Sequence, residues 1–151
     1  MEPDLVLTVD KFTFRVPQDR LYSRDDCWVM QDGERVRIGL TDFRQQAAGD
    51  VAFVELPPVG SAAVQGEEFV TVETMKVTLG LAAPLSGTIS TVNAALQSQP
   101  ELVNQNPYGE GWLVEMTLRV PAQLKELLSP AHYFALMQGK AEAERRGTKD
   151  Q

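Results

Sequence analysis

The sequence holds one cysteine, Cys27, and one histidine, His132. A lone thiol cannot close an internal disulfide, and a reducing compartment, the cytoplasm, is its simplest setting. The same scarcity leaves too few ligands for a cysteine–histidine zinc site and argues against cysteine–histidine catalysis. No apolar run approaches the roughly 18 residues of a membrane span. The acidic start Met1-Glu2-Pro3-Asp4 has no long apolar run after it and does not read as a secretory signal. Neither a phosphate-binding glycine loop nor a convergent acid–base or nucleophile–base pair is visible, which disfavours a stand-alone enzyme.

Cations are also missing from half of the chain. Residues 1–44 carry seven Lys/Arg against nine Asp/Glu, residues 45–118 one against eight, and residues 119–151 six against four. The middle segment alone therefore matches the net charge of the whole chain, −7. Such a surface repels nucleic acid and anionic membrane and favours partners with basic faces. Its single cation is Lys76, in the string Val72-Glu73-Thr74-Met75-Lys76-Val77-Thr78-Leu79. An amine without a rival nearby, between two apolar strand-like runs, is a candidate attachment point for a swinging arm. The alternative is an acidic surface that simply uses few lysines.

With 151 residues, 43% apolar and 23% charged, the chain has the make-up of one ordinary globular domain. Residues 1–14 alternate weakly, as a strand or an arm. Arg35–Leu40 alternates cleanly, with Val36, Ile38 and Leu40 on one face. Thr41 is placed to cap a short helix and Gly49 to end it. Val51–Leu56 reads as a strand stopped by Pro57-Pro58. Phe69–Thr74 and the alternating Val77, Leu79 and Leu81 read as a hairpin with Lys76 at its tip, although the tip lacks an Asn-Gly turn. Thr88–Val92 is another short strand, Asn93–Gln97 one helical turn and 98–111 an ordered loop. Trp112–Val120 is the clearest strand, Pro121–Leu128 a helix, and Ser129-Pro130 opens a second helix through about Met137. From Gly139 the chain reads as a charged, fraying tail. Many short strands with Gly/Pro turns point to a mainly β sandwich or barrel with helices appended at its carboxyl-terminal end.

Five stretches, in order, resemble the H protein of the glycine cleavage system, a lipoyl carrier. They are Val16-Pro17-Gln18-Asp19 through Trp28-Val29, Gly39-Leu40-Thr41-Asp42-Phe43, Gly49 through Pro57, Glu73-Thr74-Met75-Lys76, and Pro100-Glu101-Leu102-Val103-Asn104 with Pro107-Tyr108-Gly109-Glu110-Gly111-Trp112. The resemblance implies a barrel-sandwich hybrid of two small sheets with a short inserted helix and carboxyl-terminal helices. It divides the chain into an extension over 1–15, the lipoyl domain over 16–138 and a charged tail over 139–151. It makes Lys76 the lipoyl attachment site. Glu73 becomes the acidic residue that the lipoate-attaching enzyme recognises, and Gly60 the glycine of the adjacent turn that keeps the tip accessible.

The implied partners are the lipoate-attaching enzyme, a pyridoxal-phosphate glycine decarboxylase, a tetrahydrofolate-dependent aminomethyltransferase and dihydrolipoyl dehydrogenase. A small monomeric carrier, shuttling an aminomethyl group and reducing equivalents while sheltering its cargo from water, suits that set. Val77-Thr78-Leu79-Gly80 departs from the family's run after the lysine, and Asp26-Cys27-Trp28 from its run at that tryptophan. Two other readings therefore stand beside the first. One is a related lipoate-binding carrier that serves components of a heterodisulfide-reductase-like sulfur-oxidation complex. The other is an unmodified scaffold that only binds partners. Met75-Lys76 also invites a biotin reading, but Val77 stands where biotin carriers usually place a second methionine. Cys27 has two readings, a mixed disulfide with the arm or a small buried hydrophobe. Trp112 and Tyr108 are expected to brace their loop, and His132 to be structural or exposed.

Overall fold

The computed structural model describes residues 2–149. An amino-terminal hairpin, β1 (Leu5–Val9) and β2 (Phe12–Val16), precedes β3 (Leu21–Tyr22), β4 (Cys27–Asp32), β5 (Arg35–Leu40) and helix α1 (Asp42–Ala48). Then come β6 (Val51–Glu55), β7 (Ala62–Ala63), β8 (Glu68–Thr74), β9 (Thr78–Ala82), β10 (Gly87–Val92), helix α2 (Leu102–Gln105), β11 (Val114–Leu118) and helix α3 (Pro130–Lys149). Two sheets form the body: a six-stranded one in the order β3-β4-β5-β11-β10-β7 and a three-stranded one in the order β6-β8-β9. The hairpin β1-β2 is a separate, third sheet.

Alternation explains how the sheets face each other. Val36, Ile38 and Leu40 of β5, Val114 and Met116 of β11, and Val70 and Val72 of β8 meet in one core between the two main sheets. The odd-numbered β4 residues Cys27 and Val29 join them, while Trp28 points the other way. There it enters a second core with Phe14, Val16, Tyr22, Phe43, Tyr133, Met137 and Ala141. β4 is thus covered on both faces, and Cys27, Trp28 and Val29 are all buried in succession.

Trp28 pairs across the strands with Gly39. A Cβ on Gly39 would lie 2.6 Å from the indole, so only glycine leaves room for the ring. The indole N–H then donates to Pro107 O at 2.8 Å, tying β4 to the loop before β11. Tyr108 braces the same loop: its hydroxyl donates to Arg15 O at 2.6 Å and accepts from Asp42 N at 3.0 Å. The Arg37 guanidinium stacks over Trp112 at 4.3 Å.

Four segments differ from the sequence reading. The strand expected over Trp112–Val120 is confined to Val114–Leu118, because the chain turns at Val120 into the next helix. The stretch Pro121–Leu128 is a 3-10 helix over Pro121–Glu126. It stops because Leu128 exchanges two backbone hydrogen bonds with Tyr22, at 2.7 and 3.0 Å, which pulls the chain into an extended conformation. The loop 98–111 contains the single turn of α2. The last helix does not end near Met137 and Gly139 does not begin a frayed tail, because α3 continues through Lys149. The hairpin β1-β2 lies against α3 and Ala141 is buried between them. Lys140 Nζ reaches Asp26 Oδ2 at 3.0 Å and Arg24 O at 2.6 Å. The buried Tyr133 and Met137 dock the first half of α3 on the second core, and the hairpin and Asp26 hold the part that follows.

Candidate functional site

β8 and β9 are joined by Met75-Lys76-Val77, so Lys76 stands at the tip of the expected hairpin, exposed to solvent. Thr74 supplies the turn chemistry that an Asn-Gly pair would otherwise provide. Its Oγ1 accepts from Lys76 N at 3.1 Å and Val77 N at 2.9 Å, and donates to Ala48 O at 2.8 Å. Across the turn Thr74 N donates to Val77 O at 2.8 Å.

The turn rests on the junction between α1 and β6. Met75 N donates to Asp50 O at 3.0 Å and Lys76 Nζ to Ala47 O at 3.1 Å. The carbonyls of residues 47, 48 and 50 thus hold the three residues 76, 74 and 75. Free carbonyls at a helix carboxyl-terminal end carry partial negative charge, a favourable place for an ammonium. Gly49 makes the junction possible. Its φ of 90° is a conformation that side chains disfavour. A Cβ there would fall 3.8 Å from Lys76 Cβ. Asn104 secures the same junction: Oδ1 accepts from Val51 N at 2.8 Å, and Nδ2 donates to Gly49 O and to Gln45 Oε1, both at 3.0 Å.

Glu73 is exposed on the outward face of the three-stranded sheet, opposite Phe53 of β6 and Thr78 of β9. Phe53 is 48% exposed and Met75 81%, so the acid and the lysine are flanked by uncovered apolar side chains. Gly60 is not brought to this end. In the register of β6 on β8, Val51 pairs with Thr74 beside the tip and Glu55 pairs with Thr71. Gly60 follows Glu55 beyond the far end of β6, where its N–H donates to Ile89 O at 2.8 Å. Its φ of 92° serves that distant turn. The glycine beside the lysine is Gly49, which the sequence reading took only as a helix end. Thr74 and Asn104 also belong to the site; both lie in the motifs that carry the family resemblance, but their roles depend on contacts that the sequence does not show.

Cys27 is fully buried, and burial pushes its thiol up to about 12 from an ordinary 9.0. It packs in the core between the sheets, so the mixed disulfide with an arm on Lys76 is excluded in the folded protein in favour of the small-hydrophobe reading. His132 is exposed on α3.

A cleft of about 300 Å³ opens beside the turn. Val9, Phe12 and Phe14 of the hairpin line one side, Ala47 and Ala141 come from α1 and α3, and Asp10, Gln46, Glu144 and Arg145 add polar groups. Lys76 lines it too, so a chain extended from Nζ has an apolar recess within reach.

Lys76 thus stands exposed on a strand–strand turn at the end of the three-stranded sheet. The family model described as "Glycine cleavage H-protein" matches residues 20–140. The chain belongs to the glycine cleavage H-protein family. Members of that family are lipoyl carriers and not catalysts in their own right. The H protein of Thermus thermophilus is 42% identical over 126 residues, covering 83% of this chain and 98% of the relative. That of Symbiobacterium thermophilum is 46% identical over 120 residues, covering 80% and 94%. A crystal structure of a glycine cleavage system H protein from Mycobacterium marinum shares 35% identity, with a TM-score of 0.68 over 78% of this chain and 95% of that one. The mainly β barrel-sandwich expected for an H protein is the fold found. The matches give no support to the sulfur-oxidation branch. Among the described residues, no helix is long and apolar enough to cross a membrane.

Proposed function

We propose that Lys76 is the lipoyl attachment site and that this H-family chain carries aminomethyl groups and reducing equivalents in glycine cleavage. The observation that carries the reading is the placement of Lys76: exposed, at the β8–β9 tip, and the one cation of the 45–118 segment. The residues present fit a lipoyl arm, because the amine is accessible and the adjacent cleft is lined by Val9, Phe12, Phe14 and Ala141. Bound lipoate supplies a dithiolane that takes up the aminomethyl group together with an electron pair.

The chain itself does three things. The turn presents the exposed Lys76 at the hairpin tip for acylation, its Nζ resting on Ala47 O until an enzyme takes it up. The Glu73 carboxylate, three residues earlier on the exposed sheet face, is presented to the basic surface of a lipoate-attaching enzyme. The cleft keeps water from whatever is tethered beside it. Tethering raises the concentration of cargo at each partner's active site without adding a contact. The partners are the pyridoxal-phosphate glycine decarboxylase, the tetrahydrofolate-dependent aminomethyltransferase and dihydrolipoyl dehydrogenase. The acidic 45–118 segment steers encounters with basic faces on them. We place the carrier in the cytoplasm as a monomer.

Glycine–bicarbonate exchange tests this. Lipoylated protein, verified by intact mass, is combined with glycine decarboxylase from the same source. Exchange that disappears in Lys76→Ala is the expected result. A fully lipoylated protein that supports no exchange overturns the glycine cleavage assignment.

A further inference from the structure

We infer that Thr74 is the positioning residue of the modification turn, its hydroxyl holding Lys76 in the one geometry that a lipoate-attaching enzyme accepts. The inference rests on the reading of Lys76 as the attachment site. A hydroxyl has one proton to give and two lone pairs to receive. Thr74 Oγ1 uses all three: it accepts from Val77 N at 2.9 Å and Lys76 N at 3.1 Å, and its one proton goes to Ala48 O at 2.8 Å, the nearer of two acceptors, the other being Val77 O at 3.1 Å. Two of these bonds shape the turn and the third fastens it to the end of α1. No side chain other than Thr74 caps the amides of Lys76 and Val77 among the described residues. The neighbouring side chains give the turn little else: Met75 is 81% exposed and Val77 41%, so neither packs it in place. A loop without packing holds its shape through hydrogen bonds; here Thr74 N to Val77 O and Met75 N to Asp50 O hold the ends, and Thr74 Oγ1 is the one side-chain atom that caps the tip amides of Lys76 and Val77.

Without the hydroxyl, the turn samples conformations in which Nζ is not presented, and apparent affinity for the enzyme falls by the fraction still competent. The chemical step is untouched, since Thr74 does not meet the reacting atoms. In that step the lipoate carboxylate displaces pyrophosphate from ATP to give the acyl-adenylate; Lys76 Nζ then bonds to the acyl carbon as its C–O bond to the phosphate breaks, AMP leaves with that oxygen, and the two protons lost from the ammonium pass to solvent.

The test is lipoylation of the full chain by a lipoate–protein ligase with free lipoate and ATP, followed by intact mass. Wild type, Thr74→Val, Thr74→Ser and Lys76→Ala are compared. Thr74→Val is expected to raise KM for the protein about tenfold with kcat unchanged, while Thr74→Ser stays within about twofold of wild type. Amide hydrogen exchange at Lys76 and Val77 should quicken in Thr74→Val alone. An unchanged KM in Thr74→Val, a loss confined to kcat, or an equal loss in Thr74→Ser overturns the inference. Should Thr74→Val not fold, Thr74→Ser decides: wild-type KM with slow exchange at both amides upholds the inference, and loss of either overturns it. A wild-type chain that takes no lipoate, or takes it equally in Lys76→Ala, instead overturns the attachment site itself.

Discussion

Asn104 donates its side-chain amide to the carbonyl of Gly49, 55 residues earlier in the chain, at 3.0 Å. Its other side-chain atom accepts from Val51 N at 2.8 Å, so one side chain closes the corner between α1 and β6 on which the lysine turn sits. Asn104→Ala removes three hydrogen bonds and leaves the Val51 amide of a buried residue without its acceptor. We expect a loss of about 2 kcal/mol in urea unfolding, together with slower lipoylation of Lys76 although residue 104 does not touch the lysine. Equal stability and an unchanged rate would remove Asn104 from the site.

The corner shows what was legible and what was not. Period-two alternation gave the strand over Arg35–Leu40 and the hairpin around Lys76, because each buries one face against the same core. Thr41 and Gly49 were readable as ends of α1 because caps obey local rules. The role of Asn104 is not local: it depends on where a loop returns after two sheets have formed. The reading of Gly60 as the neighbouring glycine failed for the same reason. Nearness to the tip is set by the antiparallel register of β6 on β8, which brings residue 51 to the lysine and carries residue 55 away. The length of α3 was hidden because its burial comes from a hairpin more than a hundred residues upstream.

Gly39→Ala tests the cross-strand fit at Trp28. The added methyl would sit 2.6 Å from three indole atoms, and the ring cannot retreat without breaking its 2.8 Å bond to Pro107 O. Overpacking of this kind costs about 1–3 kcal/mol. A lower thermal midpoint and a red-shifted tryptophan emission are the expected readings, while lipoylation at Lys76, on a different sheet, is retained. An emission spectrum and midpoint like those of wild type would mean that the pocket yields.

Tyr133 and Asp26 join α3 to the second core. The phenol donates to Asp26 Oδ1 and lies 2.8 Å from Thr41 Oγ1, the cap of α1. It also stacks on Tyr22 at 4.6 Å. Tyr133→Phe keeps the stacking and removes one donor from a buried carboxylate, which Lys140 then supports alone from the α3 side. A hydrogen bond to a charged group is worth about 1.5–3 kcal/mol, and the denaturant midpoint should fall accordingly. Tyr133→Phe combined with Lys140→Met should lose more than the sum of the single changes, since each leaves the carboxylate to the other. Additive losses would show that the two donors act independently.

Buried acids set the alkaline limit of the fold. Burial raises the Cys27 thiol from 9.0 to about 12 and lifts the phenols of Tyr22, Tyr108 and Tyr133 above their ordinary 10.0. Above pH 9 the unfolded chain has lost its thiol proton while the folded chain keeps it, and above pH 10 the three phenols behave in the same way. The unfolded state then binds fewer protons, so stability falls as pH rises, by about 1.4 kcal/mol per pH unit for each group in its window. This contribution is fully present at neutral pH. Urea unfolding followed from about pH 8 to about pH 11 should show a midpoint that falls and steepens as the phenols join. The same burial protects the thiol, because the reactive thiolate is scarce and enclosed. A disulfide reagent should leave the native protein unmodified at neutral pH and label one thiol in urea. Rapid labelling of the native protein would show that Cys27 is reached without unfolding, and would reopen its mixed disulfide with an arm on Lys76.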